Sequence, residues 1–238
     1  MTHHDLSEPV ENFIKAVYIL QVDMDDADTN DDNSEQGEIP RVSTNALTSV
    51  LGVKAPSVTD MAKRLADNGL IDYLRYRGVR LTAVGEALAL NLIRRHRLIE
   101  LYLVRELNYE LHEVHSEAES LEHAVSERFI EAIDAKLGNP QFDPHGDPIP
   151  DADGTFTTRE LQPLSELPLT KLGRVSRFIA TDSDMLQHTL DRGFSLHTNV
   201  EVIARDPFQG PITVKLNDTQ TVIGFSVAET ILVEVLEN

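Results

Sequence analysis

The fold is decided by residues 44–82, which read TNALTSVLGVKAPSVTDMAKRLADNGLIDYLRYRGVRLT. Apolar residues recur at helical spacing on both sides of Gly52, a residue type that commonly ends helices. Pro56 is tolerated in the first turn of the second segment. Two short helices separated by so short a turn, at about Thr44–Leu51 and Pro56–Asn68, predict a helix–turn–helix.

A basic hairpin is predicted directly after the second helix. Residues 70–74 and 79–82 are strand-like, and the tip between them reads Arg75-Tyr76-Arg77-Gly78. A hairpin in this position is the wing of a winged helix, a DNA-binding fold, although the same fold can also serve protein contact. Serine and threonine can bond phosphates or base edges, and wing arginines favour phosphates. The residues expected at DNA are Ala55, Pro56, Ser57, Thr59, Lys63, Arg75, Arg77 and Arg80.

Charge is distributed unevenly along the chain. The net charge of the 238 residues is −19, which is unusual for a nucleic-acid binder. Residues 40–97 nevertheless contain ten Lys/Arg and four Asp/Glu, so this stretch carries +6. The asymmetry predicts a basic DNA-facing surface on an otherwise acidic protein.

The N-terminal segment combines a predicted helix with an acidic run. Apolar spacing predicts a first helix over residues 7–22, with Ser7 as its N-cap. Residues 23–38 contain eight acids and no base, and such a run is typical of a disordered loop.

Two later segments carry side chains of the metal-ligand type. The first reads His96-x-x-x-Glu100, and the second reads His115-x-x-x-Glu119-x-x-Glu122-His123. Spacings of three and four place side chains on one face of a helix. We therefore expect long helices over about 82–107 and 115–137 whose imidazoles and carboxylates form one or two hard nitrogen/oxygen metal sites.

The C-terminal third has the composition of a β-domain. Residues 139–160 are rich in Pro, Asp and Gly and predict a linker. Short strands are predicted at 174–179, 200–205, 213–216, 221–225 and 231–236, with a helix at about 183–192. These elements predict a small half-open barrel of the SH3-like kind, so the fold class is mainly α with a small β C-terminal domain.

Bulk properties exclude several classes of protein. The chain has no cysteine, which excludes disulfides, thiolate zinc sites and thiol nucleophiles. No run approaches the roughly 20 apolar residues of a membrane-spanning helix, and the N-terminus has no signal-peptide pattern. We expect a cytoplasmic protein.

Taken in this order, the motifs resemble the diphtheria toxin repressor family, which includes iron-dependent repressors and manganese transport regulators. The resemblance covers nearly the whole chain apart from residues 23–38. It implies a winged-helix DNA-binding domain over 1–82, a helical metal-binding and dimerisation domain over 83–140, a linker over 141–160 and an SH3-like domain over 161–238. The matching residues are Tyr18, Val58-Thr59-Asp60-Met61, Arg95-His96-Arg97-Leu98, residues 113–119 with Glu122-His123, Asn139-Pro140 and residues 146–150.

The resemblance also implies a division of the ligands between two metal sites. Glu119, Glu122 and His123 would form the primary site with a contribution from Asn12, and the remaining ligands, His96, Glu100 and His115, would form the second. Glu119 stands where iron-type repressors carry Cys, which hardens the site and favours Mn(II) or Fe(II). Asn12 and Lys15 stand where the manganese branch has acids. An amide oxygen can still bind a metal but a charged Lys15 cannot, which favours two separated metal sites over the close two-metal arrangement of that branch. In the iron-type repressors the terminal barrel can lend oxygen ligands, and here the nearest candidate is Asp182, followed by Asp184, Gln187 and His188.

The main hypothesis is a homodimeric, non-enzymatic regulator that binds double-stranded operator DNA when Mn(II) or Fe(II) is bound, with two ions per subunit. We expect it to repress metal-uptake genes. One alternative is a ferritin-like di-metal enzyme, which would use a Glu-x-x-His motif on each of two helices, and neither ligand helix offers one. Another is a regulator whose metal is purely structural.

Overall fold

The computed structural model describes residues 6–28, 40–179 and 182–236. The chain divides into two units, one formed by residues 1–94 with 152–154 and the other by residues 95–151 with 155–238. In the described residues, no helix has the length and apolar character needed to cross a membrane.

The first unit is a winged helix with an additional N-terminal helix. Its core is apolar and includes Phe13 and Ile14 of the first helix with Leu47, Val58 and Leu65 of the next two. Its elements are α1 (Glu8–Asp28), α2 (Thr44–Leu51), α3 (Ala55–Asp67), β1 (Ile71–Leu74) and β2 (Gly78–Leu81). The predicted helix–turn–helix and hairpin are therefore confirmed, with boundaries shifted by at most one residue.

Local interactions explain where these helices begin and end. Ser43 caps α2 by accepting a hydrogen bond from the amide of Ala46 at 3.1 Å. Gly52 ends α2 in the left-handed conformation at φ 63°. Gly78 opens β2 at φ 101°, and a Cβ built there would lie 2.3 Å from the carbonyl oxygen of Val42. Glycine is required at this position for both reasons.

The acidic segment begins differently from the prediction. Helix α1 continues to Asp28 rather than ending near residue 22, so the predicted loop over 23–38 is wrong for residues 23–28. Aspartate is a weak helix former but does not break a helix, and this stretch contains neither Gly nor Pro. Residues 29–38 lie outside the described residues.

The helical part of the second unit contains two helices where one was predicted. The segment 115–137 is divided into α5 (Val114–Glu122) and α6 (Glu127–Leu137), while α4 covers Ala83–Leu107. Ser126 begins a new helix because its side chain accepts a hydrogen bond from the amide of Phe129. The break falls directly after the predicted ligand Glu122, so His123 lies at the end of α5 rather than in mid-helix.

The segment predicted as a linker is hydrogen-bonded into the second unit. Asp143 accepts hydrogen bonds from the amides of His145 and Asp147, each at 2.8 Å. The amide of Phe178 donates to the carbonyl of His145 at 2.8 Å. These contacts fix the side chains at positions 143 and 145.

The terminal domain is the expected small antiparallel β-domain. Its elements are β3 (Gln162–Pro163), β4 (Leu172–Phe178), α7 (Ser183–Asp191), β5 (Asn199–Arg205), β6 (Ile212–Leu216), β7 (Thr219–Ile223), α8 (Phe225–Glu229) and β8 (Ile231–Val235). The strands follow the order β3-β8-β4-β5-β6-β7 around a core that includes Phe178, Phe194 and Val202. The predicted strand 221–225 ends at Ile223, because Phe225 begins a short helix that the sequence did not indicate.

Candidate metal centre and nucleic-acid interface

Three of the predicted ligands converge in the second unit. His96 Nε2 lies 2.9 Å from Glu100 Oε1 and 3.1 Å from His115 Nδ1. The triangle is closed by a distance of 3.2 Å between His115 Nδ1 and Glu100 Oε1. His96 and Glu100 lie one turn apart on α4, and His115 lies in the first turn of α5.

The other nitrogen of His96 faces a second carboxylate. His96 Nδ1 lies 2.5 Å from Glu122 Oε2, and Glu122 is fully buried. Glu122 Oε1 lies 3.5 Å from His123 Nε2. Hence His96 joins two ligand groups that the sequence resemblance assigned to separate sites.

Glu119 lies at the exposed margin of this cluster. Its Oε1 is 3.8 Å from His115 Nε2, and both side chains are more than half exposed. This contact is with a member of the other predicted ligand group.

Glu100 also belongs to a second set of three buried donors, which the sequence did not indicate. Glu100, Asp143 and His145 each present a ligand atom within 4.8 Å of the others. Glu100 faces His145 with its second oxygen, at 3.7 Å from Oε2 to Nδ1. The available signal was Asp143-Pro144-His145, two ligand-type side chains two residues apart in a segment that we treated only as a linker.

Burial and neighbouring charges set the protonation of these groups. Burial alone would raise the pKa of Glu100, but hydrogen bonds from His115, His145 and His96 lower that pKa well below its ordinary value. Burial, together with the charges of Asp147 and Glu100, raises the pKa of Asp143 to about 7. Burial opposes protonation of His145, yet the hydrogen bond and charge of Glu100 raise its pKa. The cluster therefore holds at least one carboxylate that stays ionised beside groups that bind protons readily.

The donor set fits a hard or borderline divalent cation. Adjacent ligands of an octahedral ion with bonds of about 2.1 Å are separated by about 3 Å, close to the separations between His96, Glu100 and His115. Imidazole with carboxylate suits Mn(II), Fe(II) and Zn(II), and the chain has no thiolate that would select softer ions. A neutral imidazole donates from one nitrogen only, so His96 between two carboxylates needs either a second proton or a cation nearby.

The remaining two predicted ligands lie on other helices. Asn12 lies half-buried on α1 in the other unit. Asp182 is exposed and caps α7, where its Oδ1 accepts a hydrogen bond from the amide of Met185 at 2.9 Å. Both remain predictions.

Arg95 fixes the junction between α5 and α6. Its Nη1 donates to the carbonyls of Glu122 at 2.9 Å and Val125 at 3.2 Å. Its Nη2 pairs with the carboxylate of Glu127, and the Arg95 side chain is buried. The sequence showed this residue only as a neighbour of His96, but it holds the backbone that carries Glu122 and His123.

The predicted reading helix of the first unit presents a polar surface. Ala55, Pro56, Ser57 and Lys63 of α3 are exposed. Thr59 is half-buried, and its hydroxyl donates to the carbonyl of Ala55 at 3.0 Å. Lys63 lies 3.9 Å from Asp60, so the acid on this surface has a cation beside it.

The wing is anchored at its base and exposed at its tip. Arg75 and Arg77 are exposed. Asp72 accepts a hydrogen bond from Arg80 Nε at 3.1 Å and from Arg41 Nη2 at 2.5 Å. The hydrogen bond from Arg41, backed by both guanidinium charges, lowers the pKa of Asp72. Arg80 is therefore engaged in holding the hairpin, whereas Arg75 and Arg77 face solvent.

Family models match the chain in three consecutive segments. Residues 32–79 match the iron dependent repressor N-terminal DNA binding domain, and residues 82–151 match the iron dependent repressor metal binding and dimerisation domain. Residues 162–235 match the FeoA domain. Among curated proteins, the diphtheria toxin repressor of Corynebacterium glutamicum is 24% identical over 98% of this chain and 99% of its own length. The transcriptional regulator MntR of Escherichia coli is 41% identical over 42% of this chain and 61% of its own length.

Solved structures extend the likeness over the whole fold. A manganese-dependent transcriptional repressor in complex with manganese is 38% identical, covers 95% of this chain and 100% of its own, and superposes with a TM-score of 0.82. A structure of ScaR with bound Cd2+ is 26% identical, covers 95% of this chain and 99% of its own, and has a TM-score of 0.74. These matches confirm the resemblance in the motifs and the predicted fold class. The chain therefore belongs to the diphtheria toxin repressor family, whose members are metal-dependent, DNA-binding transcriptional repressors.

Proposed function

We propose that this protein is a cytoplasmic, homodimeric repressor that binds the operators of metal-uptake genes when Mn(II) or Fe(II) is bound. The observation that carries the proposal is the convergence of His96, Glu100 and His115, three nitrogen and oxygen donors within 3.2 Å of one another. Such a donor set suits Mn(II) and Fe(II). We also propose that the protein is not an enzyme.

The first ligand group centres on Glu100. Its Oε1 faces His96 and His115, and its Oε2 faces His145, with Asp143 completing the inner set. Because its two oxygens face different imidazoles, the carboxylate of Glu100 can occupy two ligand positions. We assign these five residues to one metal centre.

The second group contains Glu119, Glu122 and His123, with Asn12 as a further proposed ligand. Its buried member is Glu122, which lies against both His96 and His123. Glu119 is exposed, and its long side chain can adopt other rotamers at low cost. We propose two ions per subunit, with Asp182 as an additional oxygen donor.

The bound cation supplies positive charge among carboxylates that burial would otherwise penalise. The residues of this chain do the positioning. His96 presents one nitrogen to each carboxylate, Arg95 holds the backbone of Glu122, and Arg97 Nη1 donates to the carbonyl of Pro148 at 2.5 Å beside the loop that carries His145. The ligands thereby tie α4, α5 and the loop 141–150 to one centre.

Regulation then follows from linkage. If the cation binds the DNA-competent arrangement of the dimer better than other arrangements, cation and operator must strengthen each other's binding by the same factor.

Within the first unit we assign base and phosphate contacts to Ala55, Pro56, Ser57, Thr59 and Lys63 of α3, and phosphate contacts to the wing arginines Arg75, Arg77 and Arg80.

The test is fluorescence anisotropy of the purified dimer on operator DNA selected from a random-sequence library. Binding is measured in chelator, in Mn(II) and in Fe(II) without oxygen. We expect tight binding only with metal, and the two curves rank the metals. Equal affinity in chelator, with the protein verified to be metal-free, would refute metal activation and favour a constitutive DNA binder.

A further inference from the structure

A cavity of about 550 Å³, to which the proposed function gives no role, lies in the second unit. Its volume falls in the range of pockets that bind small organic molecules, about 300–1,000 Å³. Part of its wall is formed by apolar side chains of α4, of the end of α6 and of the segment before β5, namely Leu101, Val104, Leu137 and Leu196. Such a wall favours the apolar part of a ligand over water.

The cavity is also lined by basic side chains, which come from three separate segments. They are Arg105 of α4, Arg159 and His197. The chain carries −19 overall and +6 within residues 40–97, so the remainder of the sequence, which contains these three residues, carries −25. Basic side chains gathered in a cavity of so acidic a polypeptide create a local positive potential that attracts anions.

Asp143 is the one acidic side chain among the described residues that line the cavity. Its Oδ1 accepts hydrogen bonds from the amides of His145 and Asp147, each at 2.8 Å. Its Oδ2 lies 3.8 Å from Arg97 Nε. Because these donors and this cation already face the carboxylate, Asp143 offsets the charge of the cavity arginines less than a free carboxylate would.

Arg159 is held in place at the cavity wall. Its guanidinium lies 3.6 Å from the centroid of the Phe142 ring, and its Nη2 donates to the carbonyl of Gly146 at 2.6 Å. A guanidinium has five N–H donors, and this hydrogen bond uses one of them. The planar group can therefore still bind a carboxylate, an anion whose geometry it matches.

From this arrangement we propose that the cavity binds a small organic anion with one carboxylate group and an apolar body. The carboxylate pairs with Arg105 and Arg159. The apolar body packs against α4 at Leu101 and Val104. A ligand of this class is neither the metal nor the operator, so the inference goes beyond the proposed function.

The cavity and the metal centre share two structural elements. The loop 141–150 lines the cavity and carries the proposed metal ligand His145, and α4 likewise contributes to both. Arg159 is bonded to this loop, so a carboxylate that joins it to Arg105 holds together the two elements that the metal also joins. Anion and Mn(II) therefore strengthen each other's binding by the same factor. This step of the inference rests on the proposed function.

The test uses octanoate as the probe, because it has one carboxylate and an apolar chain. Its binding to the full-length protein, with and without Mn(II), is measured by displacement of the fluorescent dye anilinonaphthalene sulfonate. Octanol, octylammonium and sulfate are the comparison compounds, which respectively lack the charge, reverse it and lack the apolar chain. The variants are Arg105→Gln and Arg159→Gln. Arg174→Gln is the matched control, an exposed arginine of β4 outside the cavity lining.

We expect octanoate to displace the dye at concentrations about tenfold lower than octanol, and octylammonium and sulfate to leave the dye bound. Arg105→Gln and Arg159→Gln should each weaken octanoate binding about fivefold, because each removes one positive charge, whereas Arg174→Gln should bind octanoate like the wild type. Saturating octanoate should raise the Mn(II) affinity of the wild type about fivefold, measured by isothermal titration. Circular dichroism verifies the fold of each variant.

The negative outcomes can be separated. Equal displacement by octanol would overturn the anion site, since an apolar cavity alone would explain it. Octanoate binding that both cavity variants retain in full would also overturn it, because the ligand would then lie elsewhere. Octanoate binding that leaves the Mn(II) affinity unchanged would overturn the coupling to the metal centre. Absence of metal-dependent operator binding by the wild type, with octanoate binding intact, would refute the proposed function rather than the anion site.

Discussion

His96 Nδ1 lies 2.5 Å from Glu122 Oε2, so one imidazole on α4 contacts a fully buried carboxylate at the end of α5. Its opposite nitrogen lies 2.9 Å from Glu100. The two ligand groups inferred from sequence are thereby linked through a single side chain. Removal of either carboxylate should therefore weaken metal binding in both ligand groups rather than in one.

Glu122→Gln tests this linkage, because it keeps the shape of the side chain and removes its charge. We expect Mn(II) affinity to fall tenfold or more at both sites, and metal-dependent operator binding to be lost, as it should be in Glu122→Ala and His123→Ala. Isothermal titration with Mn(II) gives the affinities, and circular dichroism verifies the fold. Glu131→Gln, at an exposed position on α6, is the control. Loss at one site alone would show that the two groups act independently.

Metal binding should also release a proton from Asp143. Burial raises the pKa of Asp143 to about 7, so below that pH the side chain holds a proton that a cation must displace. Apparent Mn(II) affinity should therefore increase as pH rises through about 7. Titrations in buffers with different heats of ionisation count the protons. Asp143→Asn should bind Mn(II) more weakly and should no longer release this proton. An unchanged number of released protons in the variant would show that the proton does not come from Asp143.

The sequence was sufficient where local chemistry determines structure. Gly52, Pro56 and the basic tip predicted the winged helix, and ligand spacing placed His96, Glu100 and His115 on facing helices. It failed where structure depends on contacts distant in the chain. Asp143 and His145 meet Glu100 only because the loop 141–150 folds back onto α4, and no periodicity encodes that return.

The division between α5 and α6 illustrates a different limit. The apolar pattern is continuous from 115 to 137, but Ser126 competes for the backbone as an N-cap and Arg95 binds the carbonyls left open at the break. Ser126 was visible in the sequence as a possible N-cap, but the continuous apolar pattern outweighed it. The role of Arg95 could not be predicted, because the sequence does not show which side chain is buried beside the break.

Arg95→Met should disturb the second ligand group without touching a ligand. The guanidinium donates to the carbonyls of Glu122 and Val125, and removal leaves both without this donor. We expect a loss of about 2 kcal/mol in the free energy of unfolding, the cost typical of leaving buried polar groups unsatisfied. Mn(II) affinity should fall as well, because Glu122 and His123 lose their backbone anchor.

The comparison variant for Arg95 is Glu127→Gln, which removes only the half-exposed partner of the ion pair. It should cost at most about 1 kcal/mol, as exposed pairs do. Arg95→Lys should restore stability in part, since an ammonium can reach fewer acceptors in fixed geometry. A full loss of Mn(II) affinity in Glu127→Gln would mean that the ion pair, rather than the carbonyl contacts, positions the ligands.

Gly78→Ala should disable the wing while leaving the metal ligands of the second unit unaffected. A Cβ at this position would lie 2.3 Å from the carbonyl oxygen of Val42, and the backbone φ is 101°, so the pairing of Val42 with Val79 must shift. Gly52→Ala is the matched control, since it has a positive φ of 63° but nothing within 4 Å. The control should cost about 1 kcal/mol, and Gly78→Ala clearly more, with weakened operator binding and unchanged Mn(II) affinity. Chemical denaturation and anisotropy measure both effects, and equal stability of the two variants would refute the close approach at Val42.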